Sequence, residues 1–220
     1  MTPRHHPSDA TLLAYAAGGL GDGLSLVVTS HLSFCPECRA NIADAEAIGG
    51  MMLEELGPVA LAVGARERAL TKLDAPPAVA ETPRAAPKRS DPLVPSALAH
   101  YLRGGLDGIE WHFLAPGLHQ WEVLPQSQLS GGNLRMLRIA TGKKLPRHGH
   151  TGTELTLVLR GSYSDELGRF GRGDVAETDE DIVHQPVSDR EEDCICLIAT
   201  EGPLKFDSVL ARLVQRFTGL

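Results

Sequence analysis

The chain of 220 residues has few cysteines, no excess of positive charge and no long apolar run. Its four cysteines are too few for the disulfide framework of a secreted domain, and they favour metal ligation in a reducing compartment. Lys and Arg number 21 against 28 Asp and Glu, and the net charge of -7 disfavours contact with a phosphate backbone. No stretch reaches the roughly 20 apolar residues of a membrane span, and the first residues contain no apolar signal core. We therefore expect a cytoplasmic protein with no direct nucleic-acid partner and no membrane partner.

Prolines divide the chain into two parts of different composition. Residues 75–95 contain Pro76, Pro77, Pro83, Pro87, Pro92 and Pro95 among Ala, Thr and Ser, without apolar periodicity. This composition predicts a linker between a domain at 1–74 and a second domain at 96–220. The fold class expected is multidomain α plus β, because helical patterns precede the linker and strand patterns follow it.

Apolar residues three or four apart predict four helices in the first domain. Ser8 or Asp9 can cap the first helix, and Pro36 suits the first turn of the third, where Cys35 would be the cap. The predicted helices begin near Asp9, Gly23, Pro36 and Gly64, and the third extends to about Ile48. Four short helices make a small core, so we expect a metal or a partner to stabilise this domain.

Short runs of β-branched and apolar residues predict strands in the second domain. The runs are Leu134–Ile139, Glu154–Leu159, Val175–Glu177 and Cys194–Ala199. Most are bounded by Gly, Pro or Asp, and such repeated short strands indicate a β-sandwich or a β-barrel.

The first metal motif has the spacing H-x3-C-x2-C and consists of His31, Cys35 and Cys38. It joins the end of one predicted helix to the start of the next, where the helix dipole favours thiolate. Tetrahedral zinc needs a fourth ligand, and His6 or His5, ahead of the first helix, can supply it.

The second metal motif fits G-x5-H-x-H-x3-E-x6-G, the first cupin motif, from Gly142 to Gly161. Alternation along a strand places His148 and His150 on one face, and Glu154 can return to the same ion from the adjoining strand. Three imidazoles and a carboxylate suit zinc, iron, manganese or nickel without choosing among them.

The third imidazole comes from a second cupin motif that is only half kept. Gly173 and His184 match G-x5-P-x-G-x2-H-x3-N, whereas Asp179, Asp181 and Ser188 replace its Pro, Gly and Asn. The ligand His184 is therefore present, but the turn that supports it differs from the turn of the cupin motif.

Cys194 and Cys196 share a face of the last predicted strand. They could form a redox pair, but their apolar neighbours favour packing in the core.

Both metal motifs and the linker together resemble the ChrR family of cytoplasmic anti-sigma factors. The resemblance covers essentially the whole chain and is carried by RHHPSDATLLAYAAGGL, SLVVTSHLSFCPECRA, LPRHGHTGTELTLVLRGSY and EEDCICLIAT. It implies a zinc-binding anti-sigma domain that occludes an extracytoplasmic-function sigma factor, and a cupin jelly roll that makes inhibition of transcription responsive to singlet oxygen or related oxidative stress. The implied zinc ligands are His6, His31, Cys35 and Cys38, and the implied cupin ligands are His148, His150, Glu154 and His184, holding zinc or another divalent transition metal.

Two questions stay open at this level. The apolar residues Met51, Met52, Leu53 and Leu56 fit either a partner's groove or an ordinary core. A metal cupin enzyme resembling a dioxygenase, with a zinc-bound helical appendage, is the alternative to a regulator without catalytic activity. Turnover of a small substrate would indicate the enzyme, and a stoichiometric complex with a sigma factor would indicate the regulator.

Overall fold

The computed structural model describes residues 2–74, 91, 93–102, 104–130, 132–203 and 205–206. The predicted linker at 75–95 falls largely outside these residues, as does the end of the predicted second domain. No helix within the described residues has the length and apolar character needed to cross a membrane.

The helices begin where the capping residues predict. The Ser8 hydroxyl oxygen accepts a hydrogen bond from the backbone N–H of Thr11, and the Cys35 sulfur accepts one from the N–H of Cys38 with Pro36 in the first turn. The third helix continues past its predicted end. The bounds are α1 Asp9–Ala16, α2 Asp22–Leu32, α3 Pro36–Glu54, α4 Ala65–Asp74 and α5 Ser96–Ala99.

Eleven strands follow within the described residues, and they pair antiparallel into three sheets. The large sheet has the order β1-β2-β3-β10-β5-β8, the second β7-β6-β9, and the third β11-β4. The bounds are β1 His112–Ala115, β2 Leu118–Glu122, β3 Asn133–Ile139, β4 His148–Gly149, β5 Glu154–Arg160, β6 Ser162–Asp165, β7 Gly168–Gly171, β8 Val175–Thr178, β9 Val187–Ser188, β10 Cys194–Thr200 and β11 Lys205–Phe206.

The face of the large sheet that carries Leu157 and Leu197 packs against α2. Gly23 lies directly against the sheet, because a Cβ added there would be in van der Waals contact with the Cβ of Ala199 on β10, at 3.4 Å. Val27 and Val28 of α2 belong to the same buried cluster as Leu157 of β5 and Leu197 of β10. The helices and the large sheet therefore share one hydrophobic core.

This shared core differs from the expectation of a small core made by four helices. α4 has no buried residue, whereas α1, α2 and α3 contact one another. The apolar side chains of α4 are too few to form a buried face, because most residues of this helix are charged or small.

A second cluster fills the space between the sheets. It includes Tyr163, Phe170, Cys194 and Cys196, all of them buried. The ends of β4, β5 and β6 surround this interior, which is where the second metal motif lies.

Candidate metal centres

The first candidate centre lies where α2 ends and α3 begins. His31 occupies the last turn of α2, Cys35 caps α3, and Cys38 lies in its first turn. His6 reaches the same point from the extended segment ahead of α1. One ligand atom from each of the four residues lies within 4.8 Å of all the others.

The distances between these atoms suit a tetrahedral zinc ion. Nε2 of His31 is 3.2 Å from Sγ of Cys38, and Nδ1 of His6 is 3.3 Å from Sγ of Cys35 and 3.4 Å from Sγ of Cys38. Ordinary zinc–nitrogen and zinc–sulfur bonds give an N···S edge of about 3.6 Å in a tetrahedron. Two imidazoles and two thiols also form a common structural zinc set.

His5 and His6 differ in position, and His6 is the one that lies with His31 and the cysteines. The ring of His5 lies against Phe170 in a tilted arrangement, with 4.5 Å between the centroids and 45° between the ring planes. His6 turns the opposite way, into the cluster with His31 and the cysteines. Its Nε2 lies 3.8 Å from a carboxylate oxygen of Glu37, which can orient the ring.

Burial disfavours the charged forms of Cys38 and His31 in this cluster. Desolvation, reinforced by neighbouring Cys35, raises the pKa of the Cys38 thiol to about 12. Desolvation also lowers the pKa of His31, against the opposing hydrogen bond from its ring to Gly173. A divalent cation would replace the Cys38 proton and stabilise the thiolate.

The second candidate centre brings His148, His150 and His184 together, as the motif spacing predicts. Nε2 of His184 is 3.2 Å from Nε2 of His148 and 3.2 Å from Nε2 of His150. Tetrahedral zinc bound to nitrogen gives edges of about 3.4 Å, so the three nitrogens are spaced for one ion. His148 on β4 is bridged directly to His184 by backbone hydrogen bonds, which set this spacing.

Glu154, at the start of β5, is buried beside this triad. One of its oxygens is 3.4 Å from Nδ1 of His150, and the other accepts a hydrogen bond from the Thr156 hydroxyl at 3.1 Å. The described group of converging ligand atoms comprises the three histidines without this carboxylate. Its role as a fourth ligand therefore stays a prediction.

Desolvation moves the pKa values of the imidazoles and of the carboxyl in opposite directions. It lowers the pKa of His148 to about 4 and that of His150 to about 3, with the neighbouring imidazoles contributing in the same direction. It raises the pKa of Glu154 to about 7. Both imidazoles are consequently neutral at neutral pH, which is the form that binds a metal.

Sequence reasoning missed Asp165 at the end of β6. Its fully buried side chain accepts a hydrogen bond from Nδ1 of His184 at 2.8 Å. A carboxylate in this position fixes the imidazole tautomer, which leaves the lone pair of Nε2 free to bind a metal ion. No motif spacing marks Asp165, because only the pairing of strands brings it to His184.

Cys194 and Cys196 lie side by side in the second cluster, 3.5 Å apart at sulfur. Both thiols are free and buried, as expected for core packing. A hydrogen bond with Cys194, together with desolvation, raises the pKa of Cys196 well above its usual value. A thiol held in this form is a poor nucleophile.

The antiparallel sheets, the buried histidine triad and the helical His/Cys cluster together define a cupin-like protein with a second candidate metal centre outside the sheets. Residues 104–204 match the family described as the ChrR Cupin-like domain. The chain is 46% identical over 220 residues to "Anti-sigma-E factor ChrR" of Cereibacter sphaeroides, covering 99% of each chain. The chain therefore belongs to the ChrR family.

A solved structure extends this similarity to three dimensions. It is the crystal structure of Rhodobacter sphaeroides SigE in complex with the anti-sigma ChrR. The sequence identity is 43%, the match covers 90% of this chain and 99% of that chain, and the TM-score is 0.77. The helical part and the cupin-like part are thus both included in the match.

Proposed function

We propose that this protein is an anti-sigma factor, which binds an extracytoplasmic-function sigma factor and keeps it from transcription. Support comes from the ChrR relative, which is named as an anti-sigma factor, and from the related structure in complex with SigE. These relatives favour a regulator over the alternative of a dioxygenase-like cupin enzyme.

The observation that carries this proposal is an apolar surface on the helical part. We call it the apolar strip, and it follows α3, the segment after it and α4. Its exposed members are Ile48, Met51, Met52, Leu53, Leu56, Val59, Leu61, Val63, Leu70 and Leu73. Such a concentration of exposed large apolar side chains in one stretch of chain is typical of a protein interface.

The exposure of these residues also answers a question that the sequence left open. Met51, Met52, Leu53 and Leu56 are each about two-thirds exposed, so they are not core residues of this chain. Methionine and leucine on a helix face suit a hydrophobic groove of a partner, and their side chains adapt to its shape. The apolar strip is the surface that we assign to the sigma factor.

The two metal centres complete the proposal. His6, His31, Cys35 and Cys38 would hold a structural zinc ion, and His148, His150 and His184, with Glu154, would hold zinc or another divalent transition metal. We further propose a division at residues 75–95 into an anti-sigma domain and a sensor domain. In this scheme singlet oxygen or a related oxidant acts on the sensor domain, and the sigma factor is released.

The test is copurification from the native host with a tagged full-length chain. We expect a sigma factor in the eluate at one copy per chain, and its release after exposure to singlet oxygen. Leu53→Glu should lose the complex, because it places a charge in the apolar strip. Phe113→Glu on β1 is the matched control, since Phe113 is 68% exposed and Leu53 is 69% exposed.

The outcomes separate the parts of the proposal. An eluate without a sigma factor contradicts the anti-sigma function. Retention of the complex by Leu53→Glu contradicts the assignment of the apolar strip. A complex that persists under oxidant contradicts the sensing role and leaves the anti-sigma function in place.

A further inference from the structure

We propose that the strand β8 of the cupin-like sheet, with Gly173 and Asp174 just before it, positions two of the four ligands of the helical zinc centre. The inference rests on the zinc site proposed above. It makes Asp174 and Glu177 positioning residues of a centre whose ligands all lie outside the cupin-like sheets.

The first contact is made by His31. Its Nδ1 lies 2.8 Å from the carbonyl oxygen of Gly173, in a buried environment. A carbonyl oxygen can only accept, so Nδ1 carries the proton and Nε2 keeps the lone pair that faces Cys38. This is the hydrogen bond that fixes the orientation of a metal-binding imidazole.

Gly173 is suited to this contact by its missing side chain. Its φ of +90° lies in the region that favours glycine, and a Cβ would meet Pro3 at 3.1 Å and Phe34 at 3.2 Å. The segment ahead of α1 and the turn after α2 therefore both close on this backbone.

The second set of contacts places His6. We call residues 3–8 the N-terminal arm. The arm runs along β8, which is an edge strand of the large sheet. The N–H of Val175 donates to the carbonyl of His5 at 3.1 Å, and one oxygen of Asp174 accepts from the N–H groups of Arg4 at 2.6 Å and His5 at 3.1 Å.

The arm is also held at its far end. Glu177 accepts hydrogen bonds from the backbone N–H of Ser8 at 2.6 Å, from the Ser8 hydroxyl at 2.9 Å and from the Thr11 hydroxyl at 2.8 Å. His6 lies between the Asp174 contacts and the Glu177 contacts. Its path is therefore set from both sides by two carboxylates of the cupin-like domain.

β8 also reaches the second candidate centre. It pairs with β5, and Thr178 lies opposite Glu154 in that pairing. One short segment thus contacts the environment of both centres, from Gly173 at one end to Thr178 at the other. Coupling between two sites requires an element of this kind, whose position both sites influence.

The junction between the arm and β8 is open on one side. A cleft of about 540 Å³ is lined by His5, His6, Phe170, Glu177 and Thr178, among others. The arm is held by these hydrogen bonds and by the packing of its buried residues Pro3 and Pro7. Any change that detaches it must lower zinc affinity, and by linkage zinc must favour the attached state.

The experiment measures metal affinity in the full-length chain under a phosphine reductant. Cobalt(II) reports binding through its thiolate absorption, and competition with a chromophoric chelator gives the zinc dissociation constant. We expect Glu177→Gln and Asp174→Asn each to weaken zinc binding at the His/Cys centre by about 10- to 100-fold, the range for residues that orient a metal ligand.

A matched control is Asp193→Asn. Asp193 also accepts hydrogen bonds on the cupin-like domain, but from Arg138 and from the N–H of Thr141. The Asp193→Asn substitution should leave the zinc affinity of the His/Cys centre unchanged. Glu177→Gln is the decisive variant, because Asp174 also accepts from the N–H of Gly171 and supports the local turn.

Each result has a defined meaning. Weaker zinc binding in Glu177→Gln with an unchanged melting temperature of the metal-free chain supports the inference. Wild-type affinity in both variants overturns it and leaves the zinc site standing. A wild-type chain without a cobalt–thiolate band overturns the zinc site and this inference together.

Discussion

Buried side chains at the two centres differ in the protons they must lose to bind a metal. Cys38, with its pKa of about 12, is a thiol at neutral pH and must release a proton. His148 and His150 have pKa values far below neutrality, so they are ready to bind. Glu154, with a pKa of about 7, is the group at the cupin-like centre whose raised pKa falls within the physiological range.

The pH dependence of metal binding should therefore show the ionisation of Glu154. Below pH 7 the metal-free carboxyl is protonated, and binding must displace that proton, so affinity should rise up to tenfold per pH unit. Above pH 7 the carboxylate is already ionised, and this contribution should level off. The zinc dissociation constant of the cupin-like centre, measured between about pH 5.5 and 8.5, tests the expectation.

Comparison of the wild type with Glu154→Gln isolates the contribution of the carboxyl group to the pH dependence, because both proteins contain the same histidines. The ratio of the two dissociation constants should grow with pH up to about 7 and then stay constant. Parallel profiles for wild type and variant would show that Glu154 neither binds nor neutralises the ion.

Among the elements, α2 makes the contact that joins the helices to the large sheet. Its first turn lies against β10 and β3, where a Cβ at Gly23 would already contact Ala199 and Leu134. Its last turn carries His31 into the candidate His/Cys metal centre. The packing of α2 on the sheet thus contributes to the shared core and also fixes the position of the candidate ligand His31.

A larger residue at Gly23 should therefore destabilise the whole chain. Gly23→Leu forces α2 away from Ala199 and Leu134, and such overpacking costs about 1–3 kcal/mol. Urea denaturation of the full-length protein measures the change in the free energy of unfolding.

Gly49→Leu is the control for this substitution. Gly49 is also helical, but a Cβ there has nothing within 4 Å. Because leucine favours helix over glycine by up to about 1 kcal/mol, this variant should be as stable as wild type or more stable. Equal effects at both positions would contradict the packing of α2 on the sheet.

In the whole molecule, helices and sheets are held together by more than the chain connection. The shared core and the contacts of the N-terminal arm with β8 both join the two parts. The division at residues 75–95 was predicted from composition, and it does not by itself make the parts independent. Residues 1–90 alone would expose Val27 and Val28, which are buried against the sheet cluster.

Cutting the chain should therefore leave the two parts associated. A protease site introduced between residues 80 and 85 allows the chain to be cleaved there while all the residues of the shared core are kept. We expect both fragments to co-elute in size-exclusion chromatography after cleavage, and the nicked Gly23→Leu variant to separate more readily. Separation of the wild-type fragments on cleavage would show that the shared core contributes little to their association.

The local features of this protein could be predicted from its sequence. H-x3-C-x2-C, the cupin spacing and the caps at Ser8 and Cys35 depend on residues close together in the chain, so spacing and helix or strand period suffice to predict them. The family resemblance was predicted on the same residues, and the comparisons confirm it.

Tertiary structure alone decided the contacts between distant segments. His6 and not His5 meets the cysteines because the arm runs along β8, and Asp165 meets His184 because β6 lies beside it. The apolar strip is exposed because α4 buries no residue and α3 buries none beyond Ile42. In contrast, α2 is covered by a sheet more than 100 residues away in the chain. Apolar residues three or four apart predict a helix with an apolar face, but they do not show whether that face is buried in the core or exposed on the surface. The sequence pattern therefore could not distinguish α2 from the apolar strip.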